Sequence, residues 1–164
     1  MTSNDLLPYR RGVGIMLLDP ADRVFVGQRF DSDVEAWQMP QGGIDADEQP
    51  YAAALRELRE ETGVVPDLVR IVAETAGWLS YDLPEHLVGR VWGGHYRGQT
   101  QKWFALRFLG ADSDIDLLAD ATAGHAEFRD WQWASLTELD RLIVPFKRKL
   151  YTDVITEISP YLRR

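Results

Sequence analysis

Residues 42–64 read GGIDADEQPYAAALRELREETGV, and the rest of the chain can be organised around them. The second half of the stretch has helix punctuation at both ends. Pro50 suits the first position of a helix, where its missing N–H is not needed, and Gly63 suits the left-handed residue that closes one. The spacing predicts a helix from Pro50 to Thr62. At about 100° per residue, Tyr51, Leu55 and Leu58 share one stripe, which reads as the core side. Glu57, Glu60 and Glu61 stand at i, i+3 and i+4 on another stripe. Like charges at that spacing repel, so the pattern makes sense if a cation sits among them. Carboxylate oxygens are hard ligands, which points to Mg²⁺, with Mn²⁺ as a possible substitute. Three carboxylates leave coordination positions open for substrate phosphates. The plainer reading is a solvated acidic face, with Arg56 and Arg59 as local ion-pair partners.

Upstream, VGIMLLD (13–19) and RVFVGQRF (23–30) are β-rich runs separated by Pro20, Ala21 and Asp22, and they read as a hairpin. WQMPQGGIDADEQP (37–50) is turn-rich and reads as a loop. Downstream, strands are expected at about 68–76, 101–109 and 127–134. A closing helix is expected over 146–162, where Phe146, Leu150, Val154 and Ile158 recur at i+4. Strands at both ends with helices between and after them predict an α/β sandwich on a mixed sheet rather than an alternating parallel fold. Residues 78–100 are aromatic, glycine-containing and irregular, and a loop of that length tends to be functional.

Composition narrows the classes. The 164 residues suit a single domain over 1–164, and 45% of them are hydrophobic, enough for one core. Cysteine is absent, which removes disulfides and thiolate metal sites. The longest apolar run is strand-sized and the start lacks a signal-peptide pattern, so no membrane role and a cytoplasmic location are expected. A net charge of −8 argues against coating duplex DNA by phosphate neutralisation. It leaves room for an enzyme that grips one end of an anionic substrate. Charge is uneven, with six Lys or Arg against two acidic residues in 141–164.

The full constellation around the helix is Gly42, Glu48, Arg56-Glu57-Leu58, Glu60-Glu61 and Gly63-Val64, each at a set spacing. It resembles the box of the Nudix hydrolases. The resemblance implies a Nudix-type α/β/α sandwich and hydrolysis of phosphoric anhydride bonds in nucleoside diphosphate derivatives. It also implies roles. Glu57, Glu60 and Glu61 would ligate Mg²⁺, and Arg56 would orient a helix glutamate. Glu48 would brace the loop against the helix, and Gly42 would let the loop turn tightly and approach the metal. Glu127, outside the box, matches a glutamate that serves the family as ligand or base. The general base stays open among Glu60, Glu61 and Glu127.

Further stretches, YRRGVGIML, EAWQMPQGGID, WLSYDLP, GQTQKWFALRF, EFRDWQW and VPFKRKLY, resemble one subgroup. It holds bacterial RNA pyrophosphohydrolases and bacterial and plant dinucleoside polyphosphate hydrolases. Within it, Arg10, Val144, Phe146 and Lys147 match positions that hold a substrate nucleotide, and Arg29 and Tyr81 match phosphate-side positions. An aromatic ring and a guanidinium can sandwich a base, and a lysine can meet phosphate. Read singly, Phe146 could instead be core, Arg10 a surface arginine, and Lys147-Arg148-Lys149 a solvated face. The start is Tyr9-Arg10-Arg11-Gly12 where the subgroup usually has Y-R-P-N, so a rigid proline is replaced by an extra charge.

The expected function is therefore Mg²⁺-dependent removal of pyrophosphate from 5′-triphosphorylated RNA ends. The alternatives are asymmetric cleavage of dinucleoside polyphosphates and a catalytically silent nucleotide-binding module. Other signals carry less. Gly12-Val13-Gly14 opens a strand and lacks the rest of a dinucleotide fingerprint. His125-Ala126-Glu127 resembles a deaminase H-x-E without cysteines to complete it. Trp37 and Trp92 lie in loops that could border the site.

Overall fold

The computed structural model describes residues 6–30, 36–119 and 126–162. Within them, strands β1 (Tyr9–Leu18), β2 (Val24–Arg29), β3 (Trp37–Gln38) and β4 (Gln41–Gly43) precede helix α1 (Pro50–Thr62). Strands β5 (Val69–Glu74), β6 (Leu79–Asp82), β7 (Gly98–Phe108) and β8 (Phe128–Ala134) follow, then helices α2 (Leu136–Leu142) and α3 (Arg148–Ile158). β1 lies parallel to β7 from Tyr9↔Gly98 to Leu18↔Arg107. β2 is antiparallel to β1, β3 and β8, and β5 and β6 are antiparallel to β7. The sheet is mixed, as expected.

β1 explains the layering. Its alternating side chains serve two cores, because both faces of the sheet are covered. Val13, Ile15 and Leu17 join Ala53, Ala54 and Leu58 of α1. Met16 and Leu18 join Leu139 of α2 and Leu150, Tyr151, Val154 and Ile158 of α3. The result is an α/β/α sandwich.

Several sequence expectations shift. The 13–19 and 23–30 runs do pair, but their register is confined to Leu18↔Val24. The other end of β1 pairs with β4, which brings the box loop onto the central strand at Val13↔Gly42. Residues 78–100 contain a regular strand, β6. The closing helix starts at Arg148, after a 3-10 turn at Pro145–Lys147. α2 escaped the periodicity reading, being too short to show it. Its signal was the capping box in SLTE: Glu138 N donates to Ser135 Oγ at 3.2 Å and Ser135 N to Glu138 Oε1 at 3.1 Å. The buried face of α1 is also rotated from the expected stripe. Ala53, Ala54, Leu58 and Glu61 are buried, while Tyr51 is 36% exposed and packs its ring on Phe104.

Among the described residues, no helix is long and apolar enough to cross a membrane.

Candidate active site

α1 begins after extended Gln49 with Pro50 as its first residue. It ends at Gly63, whose φ of 75° is left-handed and whose N–H donates to Arg59 O. These ends place the three glutamates under the β3–β4 loop. That loop is pinned from both sides: Ile15 N donates to Pro40 O at 2.9 Å, and Met39 N donates to the Tyr151 hydroxyl at 2.9 Å.

The glutamates differ in environment. Glu61 is 4% exposed and accepts a hydrogen bond from Gln41 N at 3.1 Å. Burial, then the charges of Glu127 and Glu57, push its carboxyl well above the usual range. Glu57 rises to about 7, chiefly by burial, with Arg56 opposing and Glu60 and Glu127 adding to the rise. Glu60 is more open to solvent. Glu127 precedes β8 by one residue and stands 3.6 Å from Arg29 Nη1. The fold thus brings Glu127, more than sixty residues away in sequence, into electrostatic reach of Glu57 and Glu61.

Arg56 organises the cluster. Its Nε and Nη2 meet the Glu48 carboxylate at 2.8 and 2.9 Å, and Nη2 also donates to Gly43 O at 2.9 Å. Its Nη1 donates to Glu57 Oε1 at 2.9 Å and reaches Glu60 Oε2 at 3.3 Å. Glu48 accepts from Asp45 N at 2.9 Å, closing the loop onto the helix, and Arg56 holds its carboxyl down at about 2. The expected bracing by Glu48 and orienting by Arg56 have this geometry. Gly42 needs a different explanation from the tight turn expected. It lies in β4, and a Cβ there would collide with the Glu57 carboxylate, so the glycine makes room for a glutamate.

Among the described residues, no three carboxylate or imidazole groups already stand close enough to cage an ion. The donor set nevertheless suits a hard cation. Burial and the neighbouring charge of Glu127 raise the proton affinity of partly buried Glu57 and of buried Glu61, a cost that a divalent ion relieves. An open set of carboxylates leaves positions for water and phosphate.

Beside the carboxylates is a cavity of about 280 Å³. Arg29, Tyr81, Val144, Phe146 and Lys147 all line it, as do Trp37 and Trp92. Phe146 is on the 3-10 turn rather than in the core of α3. Its ring centroid is 5.9 Å from that of Tyr81. Lys147 is 4% exposed, donates to Gln38 Oε1 at 3.3 Å, and has Nζ 5.6 Å from the Tyr81 centroid. Burial lifts the Tyr81 hydroxyl to about 12, so it stays a neutral phenol. Arg10 is outside this lining. Its guanidinium stacks 5.2 Å from the Trp92 centroid and packs against Gly43, where a Cβ would strike it.

Sequence reasoning missed Gln38 and the apolar wall of Leu83, Leu87 and Val91. It also missed a buried amide chain. Gln101 Nε2 donates to Gln41 Oε1 at 3.0 Å, Gln99 Nε2 to the Tyr81 hydroxyl at 3.1 Å, and Trp103 Nε1 to Gln101 Oε1 at 3.0 Å. This chain ties the carboxylate side to the cavity side. It also explains the Gly12 and Gly14 pair: a Cβ at Gly14 would meet the Trp103 indole, and one at Gly12 the Gln99 amide and Gly42 O. The available signal was the polar alternation of GQTQKW.

Comparison with known proteins agrees with this architecture. The NUDIX domain model matches residues 8–154. A protein of Sphingopyxis alaskensis named RNA pyrophosphohydrolase is 54% identical over 160 residues, spanning 98% of this chain and 99% of its own. One of that name from Rhodospirillum rubrum is 57% identical over 155 residues, spanning 94% and 90%. Among solved structures, the E. coli dihydroneopterin triphosphate pyrophosphohydrolase has a TM-score of 0.68 at 19% identity, covering 91% of this chain and 98% of its own. The C. elegans Ap4A hydrolase binary complex has a TM-score of 0.63 at 15% identity, covering 92% and 99%. These two structures share the fold, and the family match and the close relatives give the narrower placement: this chain belongs to the NUDIX domain family.

Proposed function

We propose that the chain is a single-domain, cytoplasmic, Mg²⁺-dependent pyrophosphohydrolase of 5′-triphosphorylated RNA ends, with Mn²⁺ as a possible substitute. The observation that carries the reading is the adjoining of two features. A carboxylate cluster centred on buried Glu61 stands beside a nucleoside-sized cavity walled by Phe146 and Tyr81, with Arg29 reaching both. The naming of relatives at 54% and 57% identity supports it.

Glu57, Glu60, Glu61 and Glu127 would hold divalent ions, which neutralise phosphate oxygens and acidify an attacking water. Arg56, anchored by Glu48, keeps Glu57 and Glu60 in place. Phe146 presents a π face to a base, with Val144 and Tyr81 beside it, and Arg10, stacked on Trp92 outside the cavity lining, adds positive charge at its edge. Arg29 and Lys147 supply positive charge along the polyphosphate. Water adds across an anhydride bond, leaving a 5′-monophosphate and pyrophosphate, and Glu60 or Glu127 takes the proton. Both of these carboxylates are the more solvent-open members of the cluster.

A second reading, asymmetric cleavage of dinucleoside polyphosphates, has its own support. The cavity takes one nucleoside, and either substrate offers a single nucleotide joined to a polyphosphate. The test is a competition assay with Mg²⁺ between equal concentrations of 5′-triphosphorylated short RNA and diadenosine tetraphosphate. Preferential release of pyrophosphate with monophosphorylated RNA is expected. Preferential ATP and AMP would move the enzyme to the second reading, and no product from either would favour a nucleotide-binding module.

A further inference from the structure

The start of β1 carries two adjacent arginines that point to opposite faces of the sheet. Both guanidiniums rest on indoles: Arg10 Cζ is 5.2 Å from the Trp92 centroid, and Arg11 Cζ is 4.7 Å from that of Trp78. Among the described residues, neither arginine is in an ion pair with a carboxylate. In a chain of net charge −8, such cations held only by aromatic faces are poised for an anion.

A second cavity, of about 360 Å³, lies at this end of β1 and is bordered by both arginines. Tyr9, Arg10, Arg11, Gly43 and Tyr96 help to line it. Asp45 also borders it, and its carboxylate faces Arg56 at 3.5 Å. Tyr9 is held by two neighbours, Asp82 and Arg97. Its hydroxyl donates to Asp82 Oδ1 at 2.5 Å, Arg97 Nη2 donates to Asp82 Oδ2 at 3.0 Å, and the Arg97 guanidinium covers the Tyr9 ring at 4.8 Å. Arg11 is exposed and Trp78 is 39% exposed, so both are reachable.

The position of this cavity matters. Gly43 belongs to its wall, and Gly43 O also accepts from Arg56 in the carboxylate cluster. Arg10 separates it from the nucleoside cavity, whose lining includes the Trp92 on which Arg10 stacks. The two cavities are therefore neighbours, linked by the Arg10–Trp92 stack.

We infer that this second cavity binds a downstream nucleotide of single-stranded RNA, with Arg11 on its phosphodiester and Tyr9 or Tyr96 offering a ring to its base. The inference rests on the RNA reading given above. A dinucleoside polyphosphate has no phosphodiester to place there, so the site adds affinity only for an oligonucleotide.

The test compares steady-state kinetics on a 5′-triphosphorylated dinucleotide, a hexanucleotide that begins with the same two bases, and diadenosine tetraphosphate. Wild-type protein should show a hexanucleotide KM about fivefold or more below that of the dinucleotide. Arg11→Gln should raise the hexanucleotide KM toward the dinucleotide value, with kcat and thermal midpoint unchanged. Arg11→Lys should keep most of the length preference. The log–log salt slope of hexanucleotide binding should fall by about 0.7 in Arg11→Gln, the share of one phosphate contact. Equal wild-type KM for both lengths, or an Arg11→Gln effect of the same size on both, would overturn the inference while leaving the RNA reading intact. Cleavage of diadenosine tetraphosphate alone would overturn the RNA reading, and the downstream site with it.

Discussion

The acidic helix and the nucleoside cavity lie side by side, yet they are built in different ways. The helix cluster comes from one stretch, 42–64, plus Glu127. Its order follows from helical geometry and one arginine that bonds to four partners, Glu48, Gly43 O, Glu57 and Glu60. The cavity draws on β2, the β3–β4 region, β6, the segment around Trp92 and the turn before α3. The first is a local device for concentrating negative charge. The second is a tertiary device for enclosing an apolar ring with a few polar groups around it. A substrate that joins a polyphosphate to a nucleoside needs both, and each should answer to a different kinetic parameter.

The sharpest way to test that division is to damage one region at a time. Glu60→Gln should lower kcat by about 10²–10⁴-fold while leaving the fold intact by circular dichroism, because a carboxylate that handles protons or ions acts in the transition state. Activity near the wild-type rate would remove Glu60 from the cluster's chemistry. A parallel Glu127→Gln variant separates the two candidate bases through its pH–rate profile. Phe146→Ala should act mainly on KM, raising it about tenfold through lost base stacking with a smaller change in kcat. A kcat loss matching that of Glu60→Gln would break the distinction between the regions.

Gly42→Ala connects the two effects on the helix side. The new methyl must displace the Glu57 carboxylate, so a stability loss of about 1–3 kcal/mol is expected, read by denaturant unfolding. A variant as stable and active as wild type would mean that the loop yields more readily than the pairing of β4 with β1 implies.

The smallest effect is a pH dependence with opposite signs on the helix and on the loop that precedes it. Glu57 is raised to about 7 from an ordinary value of 4.5, and burial raises Glu61 in the same direction. Their contribution to stability is full below the ordinary value and is lost as pH rises through the folded one. Metal-free protein should therefore lose several degrees of thermal midpoint between pH 5 and 8. Mg²⁺ should restore more at pH 8 than at pH 5, since binding displaces the proton. Glu48 runs the other way: lowered to about 2, it stabilises above 4.5 and ceases to do so as pH falls toward 2. A metal-free midpoint that rises steadily from pH 5 to 8 would contradict the burial of the two glutamates.

What could be read in advance follows this same contrast. Gly63, Pro50 and the glutamate triplet were legible because their relations span a few residues, where helical periodicity and caps set the geometry, whereas the parts of Glu48 and Arg56 came only from the resemblance to a known box. The mixed sheet and the strands of alternating or continuous apolar residues were legible for a similar reason. The rotation of α1, which buries Glu61 and leaves Tyr51 at the surface, was not legible. Periodicity defines which residues share a stripe but not which stripe the sheet and loop will cover. The true role of Gly42 depended on the place of the Glu57 carboxylate, a contact across the β4–α1 interface.

By itself, then, the sequence determined the box helix, its capping, its charge and the β-rich run that becomes most of β1, all local consequences of backbone geometry and side-chain type. Tertiary structure alone decided that Glu127 and Arg29 meet the helix cluster. It also decided that a glutamine chain links it to the cavity and that the turn at Pro145–Lys147 faces β6. Those contacts join residues from 18 to more than 60 positions apart. Nothing in local propensity encodes such distances; they arise when the two cores close on opposite faces of one sheet.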